Sequence, residues 1–168
     1  MTTMNASALA NNLTNPAKTY LWEMMFPDPT GGDAETLLLR CQSAVLPGRG
    51  LSEILIPFKQ SAGIKFPGKL TYPQTFTLVF EEGEDRAIFD AFYTWNQSIL
   101  NDETNIGAIS VKKDIHLHLI DTDGTVALRI RFVGCFPQDV PDIALDYGSD
   151  ERIRFSITFS YDAWRKIT

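Results

Sequence analysis

The sequence has few of the residues that build disulfide scaffolds and metal sites. Its 168 residues include only two cysteines and two histidines. Cys41 and Cys135 lie far apart and form no CxxC pair, which excludes a disulfide-rich framework and is typical of a reduced intracellular chain. Each lies in an apolar, strand-like run, so we interpret both as small buried hydrophobic residues.

Long apolar segments are also absent. No run approaches the ~20 apolar residues of a membrane-spanning helix. The first residues lack the basic start and the apolar stretch of a signal peptide. We therefore expect neither a membrane partner nor a secretion signal.

Positive charge is in deficit. The chain has 15 Lys and Arg residues against 21 Asp and Glu residues, a formal net charge of -6. Proteins that grip phosphate backbones need clustered Lys and Arg. This balance makes the chain a poor candidate for gripping nucleic acid, although an acidic protein can still surround DNA without holding it.

No motif for catalysis or cofactor binding is complete. His116 and His118 share one strand face, but no third zinc ligand is signalled nearby. The 121–124 segment resembles the start of a calcium loop, yet Phe132 stands where a bidentate Glu is required. The glycines at 48–50 form no phosphate-binding loop, and no G-x-S-x-G elbow is present. We expect no enzyme activity, no cofactor and no metal.

What the sequence does contain is strand-like alternation. From Glu151 to Tyr161, apolar and polar residues alternate, as they do when one strand face is buried. The apolar members are Ile153, Phe155, Ile157, Phe159 and Tyr161. Further strands are predicted at Tyr20–Phe26 and Thr36–Ser43 (as a hairpin), at Glu53–Phe58 and Tyr72–Phe80, and as an Asp-Gly hairpin over 114–133. Lys59–Lys69 is interpreted as an exposed Gly/Pro-rich segment.

One segment has helical periodicity. Between residues 84 and 100, apolar residues recur in steps of four, three and four at Ile88, Phe92, Trp95 and Ile99. Roughly seven strands and one helix predict a mainly β fold, either a small antiparallel β-barrel or a two-sheet sandwich with a flanking helix. We expect a single domain over 1–168, with a flexible N-terminal arm at 1–17 and a protruding loop or hairpin at 44–69.

Several distinctive blocks occur in a fixed order along most of the chain. They are Tyr20–Met24, Leu39–Ser43 running into Leu46–Gly50, Phe66–Lys69 with Tyr72–Pro73, Phe80–Glu82 with Asp85–Arg86, Phe89–Phe92 with Trp95, and the string Gly134–Trp164. Together they resemble the tail tube protein family of contractile-tailed phages. Closely similar tube subunits occur in phage-like extracellular injection systems, and type VI secretion tubes share the fold more distantly.

The resemblance implies an antiparallel barrel whose copies join sheet edges into hexameric rings, with rings stacked into a hollow tube inside a contractile sheath. The implied partners are other copies of the chain, the tail sheath protein, baseplate and tail-terminator proteins, and a tape-measure protein in the lumen. DNA or effectors would pass through without sequence-specific binding. The implied location is a virion tail or an injection particle assembled in the host cytoplasm. Open sheet edges supply a physical reason for assembly.

The resemblance also implies roles for particular residues. The stretch 44–69 is too long and too exposed for a plain connection, and in the family this region reaches the neighbouring ring. The expected stacking and subunit contacts are Leu46, Pro47, Gly48, Arg49, Gly50, Phe66 and Lys69. The acidic cluster around the helix start is the expected sheath contact, with a capped and solvated helix start as its alternative. Its members are Glu81, Glu82, Glu84, Asp85 and Asp90.

Two matters stay open at the level of sequence. The polar strand face of Arg152, Arg154, Ser156 and Thr158 is expected either to line the lumen or to lie at a subunit boundary. The role itself has rivals: a single-ring baseplate or tail-completion protein of the same fold, or a monomeric ligand-binding barrel of lipocalin type. Large inward residues such as Phe132, Phe155 and Phe159 favour a filled interior over a ligand cavity.

Overall fold

A computed structural model describes residues 17–27, 34–59, 61–100, 112–140, 142–143, 145–148 and 150–167. Over these residues the chain forms nine strands and two helices. In chain order they are β1 (Trp22–Met25), α1 (Ala34–Arg40), β2 (Cys41–Ala44), β3 (Gly50–Phe58), β4 (Ser61–Thr71), β5 (Thr75–Glu81), α2 (Ala87–Ile99), β6 (Lys113–Ile120), β7 (Val126–Pro137), β8 (Arg154–Ser160) and β9 (Ala163–Ile167).

Seven of the nine strands form two antiparallel sheets that share β7, and β3 and β4 pair only with each other. The order β1-β6-β7-β8-β5-β2 runs through both sheets, and β9, which follows β8 in the chain, also pairs with β7. β7 pairs with β6 from Val126 to Cys135 and with β9 from Arg129 to Val133, whereas its end, at Phe136 and Pro137, pairs with β8. The described strands therefore form an open, sandwich-like arrangement rather than a closed barrel, with β7 passing from one sheet to the other.

The corner in β7 depends on Gly134. Its φ is +66°, a left-handed conformation that glycine adopts readily. A Cβ at this position would collide with the Asp162 carboxylate. The Gly134 N–H also donates to Asp114 Oδ1 at 2.9 Å. A substitution here would therefore disturb both the bend and the docking of β9.

The core lies between the inner faces of the two sheets and is closed by α2. The alternation predicted for the last third of the chain is confirmed, because Phe155, Ile157, Phe159 and Tyr161 are all buried. The helical stripe is confirmed as well, with Ile88, Phe92 and Trp95 fully buried and Ile99 packed against the core. Large aromatic rings fill this interior.

The predicted Asp-Gly hairpin is also confirmed. β6 and β7 pair in antiparallel register, and the Asp121 N–H donates to the Thr125 carbonyl at 2.7 Å. Gly124 takes the positive φ of +86° that such a turn requires. This hairpin is the centre of the first sheet.

The prediction for 36–43 was wrong. Residues 34–40 form α1, with Leu37 buried, and a strand begins only at Cys41. The run Leu37–Leu39 has no alternation, and leucine is a strong helix former. β1 pairs with β6 rather than with β2, so the predicted first hairpin does not exist. The sequence also predicted only one helix.

Two further details differ from the expectations. The segment Lys59–Lys69, interpreted as exposed and Gly/Pro-rich, is largely exposed but lies mostly in strand β4, which pairs with β3 despite its glycines and proline. Ile153, predicted to point inward, is 38% exposed because the strand begins one residue later, at Arg154. Of the predicted arm 1–17, residues 1–16 lie outside the described residues. Within the described part of the chain, none of the helices has the length and apolar character needed to cross a membrane.

Candidate assembly surfaces

The hairpin formed by β3 and β4 carries the largest group of exposed apolar side chains among the described residues. These strands pair only with each other among the described strands, and every residue of β3 is exposed. Eight large apolar side chains of the hairpin are 44–63% exposed. They are Leu51, Ile54, Leu55, Ile56, Phe58, Ile64, Phe66 and Leu70. A two-stranded ribbon is marginally stable in water by itself, and contiguous exposed apolar surface marks interaction sites.

The apolar side chains of the hairpin are sorted by strand register. Ile54 faces Phe66 and Ile56 faces Ile64, so these four side chains share one face, which we call the apolar face. Glu53 and Lys65 lie on the other face and form an ion pair at 2.9 Å. Over residues 54–56 and 64–66 the hairpin thus presents one apolar side.

The predicted stacking residues lie along this hairpin and at its base. Leu46, Gly48, Arg49 and Gly50 are exposed, and Gly50 pairs with Thr71 where the hairpin begins. Phe66 belongs to the apolar face. Lys69 is exposed, and its backbone N–H donates to Ser52 Oγ at 2.8 Å.

Pro47 differs from its neighbours, because it is buried within the isolated chain. The Pro47 side chain is therefore not exposed for the expected contact with another subunit. The three apolar partners of Phe66 on the apolar face were not singled out from sequence. The alternation of Ile54, Ile56 and Phe58 would have found two of them, and Ile64 has the same two-residue spacing from Phe66.

A groove of about 700 Å³ opens at the base of the hairpin. It lies between the 46–50 loop, the hairpin base and strands β7 and β9. Its apolar lining includes Leu46, Leu70, Tyr72, Leu128 and Trp164, and its charged lining is Arg49, Arg165 and Lys166. The indole N–H of Trp164 is buried and has no hydrogen-bond acceptor within the described structure. Such an unsatisfied donor costs roughly 1–3 kcal/mol.

The acidic residues around the start of α2 differ in how far their side chains are exposed. The Glu82 side chain is only 1% exposed. Its Oε1 accepts from the backbone N–H groups of Gly83 at 3.0 Å and Ile88 at 3.3 Å, and its Oε2 accepts from Phe89 at 2.7 Å. Glu82 therefore holds the helix start, which is the capping alternative for this residue, and is not available on the surface.

Replacing Glu82 with alanine is expected to lower the free energy of unfolding by about 2–3 kcal/mol, because three backbone donors lose a carboxylate acceptor. Urea denaturation followed by circular dichroism measures this change. Glu84→Ala is the matched control: its side chain is exposed, so its stability should stay close to wild type. Equal stabilities for the two variants would contradict the assigned role of Glu82.

The other acidic residues face outward to different degrees. Asp85 accepts two hydrogen bonds from the Arg40 guanidinium, at 2.7 and 2.8 Å. This pairing holds the pKa of the Asp85 carboxyl below its usual range. Glu84 and Asp90 are exposed. The exposed acidic edge accordingly consists of Glu84, Asp85 and Asp90.

Glu81 and the predicted polar face form one surface on β5 and β8. Glu81 pairs with Arg152 at 2.7 Å and lies 3.8 Å from Arg154. Ser156 is exposed, and Thr158 Oγ1 lies 3.4 Å from Thr77 Oγ1 on the neighbouring strand. The arginines at this end are therefore partly neutralised, and the remainder of the face carries small hydroxyl groups.

His116 and His118 lie on the outer face of β6 with their rings 6.4 Å apart. Desolvation lowers the pKa of His118, with Arg129 and His116 adding to the effect. Over the described residues, no group of three or more His, Cys, Asp and Glu side chains gathers as a candidate metal site. Cys41 and Cys135 are free thiols, and burial raises the pKa of each to about 12.

Comparison with known proteins identifies the family of the chain. No curated protein matches the sequence. Several solved structures share the fold over nearly the whole chain. One is the tube terminating cap of the anti-feeding prophage, with 23% identity over 93% of each chain and a TM-score of 0.68. Another is the sheath/tube terminator of the PVC extracellular contractile injection system, with 18% identity over 93% of this chain and 99% of the other and a TM-score of 0.70. A third is the sheath-tube complex of the same system, with 18% identity over 98% of this chain and 99% of the other and a TM-score of 0.66.

The profile of the phage tail tube protein family matches residues 8–167, almost the entire sequence. This match agrees with the resemblance carried by the ordered sequence blocks and with the shared fold of the solved structures. The chain therefore belongs to the phage tail tube protein family and has a tail-tube-related structural role.

Proposed function

We propose that this protein is the subunit of the inner tube of a contractile phage tail or of a phage-like injection particle. In this proposal hexameric rings stack into a hollow conduit for DNA or effectors. The observation that carries it is the hairpin, which exposes a contiguous apolar face that no other described strand covers. A neighbouring subunit would cover that face in a ring or a stack of rings.

Assembly through the hairpin has a clear physical driving force. Fully burying an Ile or Phe side chain contributes roughly 1.5–3 kcal/mol, and the apolar face has four such side chains. Closing a ring also pairs sheet edges that are otherwise open templates for hydrogen bonding. The protein acts by these contacts rather than by catalysis, as its membership of a tail tube family supports.

The proposed partners follow from the proposed tube. They are further copies of the chain, a tail sheath protein outside, baseplate and terminator proteins at the ends, and a tape-measure protein in the lumen. The solved structures that share the fold support this setting, since they come from a cap, a terminator and a sheath-tube complex. We place the particle in a virion tail or an injection machine assembled in the host cytoplasm.

The hydroxyl-rich face of β5 and β8 is proposed as the wall of the conduit. Its arginines are partly neutralised by Glu81, and Ser156 and Thr158 offer small polar groups. A wall with little local charge would let DNA slide without binding it, since tight binding needs clustered cations.

The proposal is tested by imaging and sedimentation of the purified protein. Negative-stain microscopy should show rings or tubes at moderate concentration. A sharp monomer in analytical ultracentrifugation at high concentration, unchanged by added baseplate, would contradict the proposal.

A single-ring baseplate, terminator or tail-completion protein is the second candidate. It is favoured by the structural similarity to a tube terminating cap and a terminator, since both have this fold. The same microscopy separates the two candidates, because a single-ring protein would give rings that do not extend into tubes.

The exposed acidic edge is the proposed contact with the sheath. Exposed ion pairs contribute only ~0.2–1 kcal/mol each, which suits a surface that must release the sheath on contraction. Reversing Glu84 and Asp90 to Lys should leave tubes intact but stop the cognate sheath protein from polymerising around them. Co-assembly followed by microscopy measures this, and the loss should be greater at low salt.

The control for this experiment reverses the charge of two exposed acidic residues elsewhere, Glu23→Lys on β1 with Asp121→Lys in the turn after β6. The net charge of the protein changes by the same amount, but the acidic edge is unaltered, so sheath assembly should stay intact. Normal sheath assembly on the Glu84 and Asp90 variant would show that these residues are only part of a solvated helix.

A further inference from the structure

The groove at the base of the hairpin combines an apolar floor with a cationic rim. Tyr72, Leu128 and Trp164 contribute to the floor, and Arg49, Arg165 and Lys166 supply positive charge. No acidic residue lines it within the described part of the chain. In a protein with a net charge of -6, such a local concentration of cations selects for an occupant that has both apolar and acidic side chains.

The same chain offers a segment of that composition, which we call the acidic loop: residues 142–143, 145–148 and 150–151. Leu145 is 79% exposed and Tyr147 is 113% exposed, the two most exposed large apolar side chains of the described structure. Asp142, Asp146, Asp150 and Glu151 lie beside them and are exposed. Asp146 Oδ1 accepts the N–H of Gly148 at 2.9 Å, which shapes the turn that presents Tyr147.

The acidic loop and the groove lie at opposite ends of the second sheet. Leu145 and Asp146 line a cleft with Arg154, and Arg154 pairs with Glu81 at one end of β5. Tyr72 lies just before Thr75, at the other end of that strand. Seven residues of strand span roughly 20 Å. The loop therefore cannot reach the groove of its own chain.

We propose that the acidic loop of one copy docks into the cationic groove of the next copy. The aspartates would meet Arg49, Arg165 and Lys166, while Leu145 and Tyr147 would cover the apolar floor. Because loop and groove are different surfaces, the contact is head-to-tail and can propagate from copy to copy. The inference rests on the proposed function, since it names the partner of the 46–50 loop in the assembly.

A hydrogen-bond acceptor from the docked loop would also pair with a buried donor in the floor of the groove. The Trp164 indole N–H has no acceptor among the described residues, and buried donors are normally satisfied in assembled proteins. Residues 1–16 contain no Asp or Glu. They offer no acidic side chain that complements the groove, so charge favours the acidic loop.

Charge exchange tests the contact. A loop variant carries Asp142→Lys and Asp150→Lys, and a groove variant carries Arg165→Glu and Lys166→Glu. At low salt, each variant alone should assemble only at a protein concentration at least about tenfold higher than wild type needs. Mixing the two should restore assembly, because wild-type loops then meet wild-type grooves and reversed loops meet reversed grooves. A chain with all four changes should assemble by itself.

The charge control is again Glu23→Lys with Asp121→Lys, which matches the charge change of the loop variant outside both surfaces and should assemble as wild type does. Circular dichroism checks that each variant is folded. If the folded loop and groove variants assemble at the wild-type concentration, the proposed contact is wrong even though the tube proposal stands. If wild type itself stays monomeric, both proposals are wrong.

A cross-link gives a second readout that does not depend on charge reversal. Leu145→Cys combined with Leu70→Cys should form intermolecular disulfides in assembled protein under mild oxidation, seen as a ladder on a non-reducing gel. The native thiols give little background, because burial raises the pKa of Cys41 and Cys135 to about 12. Either single-cysteine variant is the control and should give no ladder beyond a dimer. Assembled double-cysteine protein without a ladder would overturn the contact.

Discussion

Replacing the apolar face of the hairpin with threonine is expected to abolish assembly while leaving the two-sheet core folded. The variant carries threonine at Ile54, Ile56, Ile64 and Phe66. Threonine keeps the strand preference but removes the apolar surface. A loss of about 1.5 kcal/mol for each side chain would lower the association constant roughly 10⁴-fold. Sedimentation velocity and negative-stain microscopy measure the loss of rings and tubes.

The matched control places threonine at exposed apolar positions outside the apolar face, at Leu55 and Val126. Leu55 lies on the opposite face of the hairpin and Val126 begins β7, and both are exposed. This control should assemble close to wild type. Tubes of normal length from the fourfold variant would show that the apolar face is not the assembly surface and would remove the main support for the tube proposal.

Replacing Phe159 with alanine is expected to cost about 3–5 kcal/mol of unfolding free energy. Phe159 is fully buried. Its ring centroid lies 5.3 Å from that of Phe76, 5.6 Å from Phe92 and 5.9 Å from Trp95. It thus joins a strand neighbour to the helix that closes the core. Thermal and urea denaturation should show a melting temperature lower by roughly 10 °C or more.

Phe159→Leu is the conservative control, because leucine refills most of the cavity, and it should cost less than half as much. Tyr93, on the exposed side of α2, offers a comparison in which an aromatic ring is removed without opening the core. A Phe159→Ala variant that is no less stable than Tyr93→Ala would contradict the assignment of Phe159 to the centre of the core.

Elements with strong, long periodicity were predictable from sequence. The strand through Phe155 and Phe159, the stripe on α2 and the Asp-Gly hairpin all follow from local repetition of apolar side chains. The α1 segment was not predictable in the same way. Its three consecutive leucines lack a clear period, and packing of Leu37 against the core decides its conformation.

The candidate surfaces were only partly predictable for a related reason. The 44–69 stretch was recognised as exposed, and the structure shows that its outer part is a hairpin with one apolar face. The burial of single residues could not be predicted from the sequence. Pro47 and Glu82 have surface-like neighbours in sequence, yet both side chains are turned inward.

By itself the sequence determined the mainly β class, the inward residues of its strongest strands, the position of the principal helix and, through its ordered blocks, the family. Those features depend on neighbours along the chain, where periodicity of 2 or 3.6 residues sorts side chains between faces. Only the tertiary structure decided the pairing of β1 with β6, the passage of β7 between sheets at Gly134, and the separation of the groove from the acidic loop. Those features depend on contacts between distant residues, and no local pattern specifies which strands meet or which ends of a sheet lie apart.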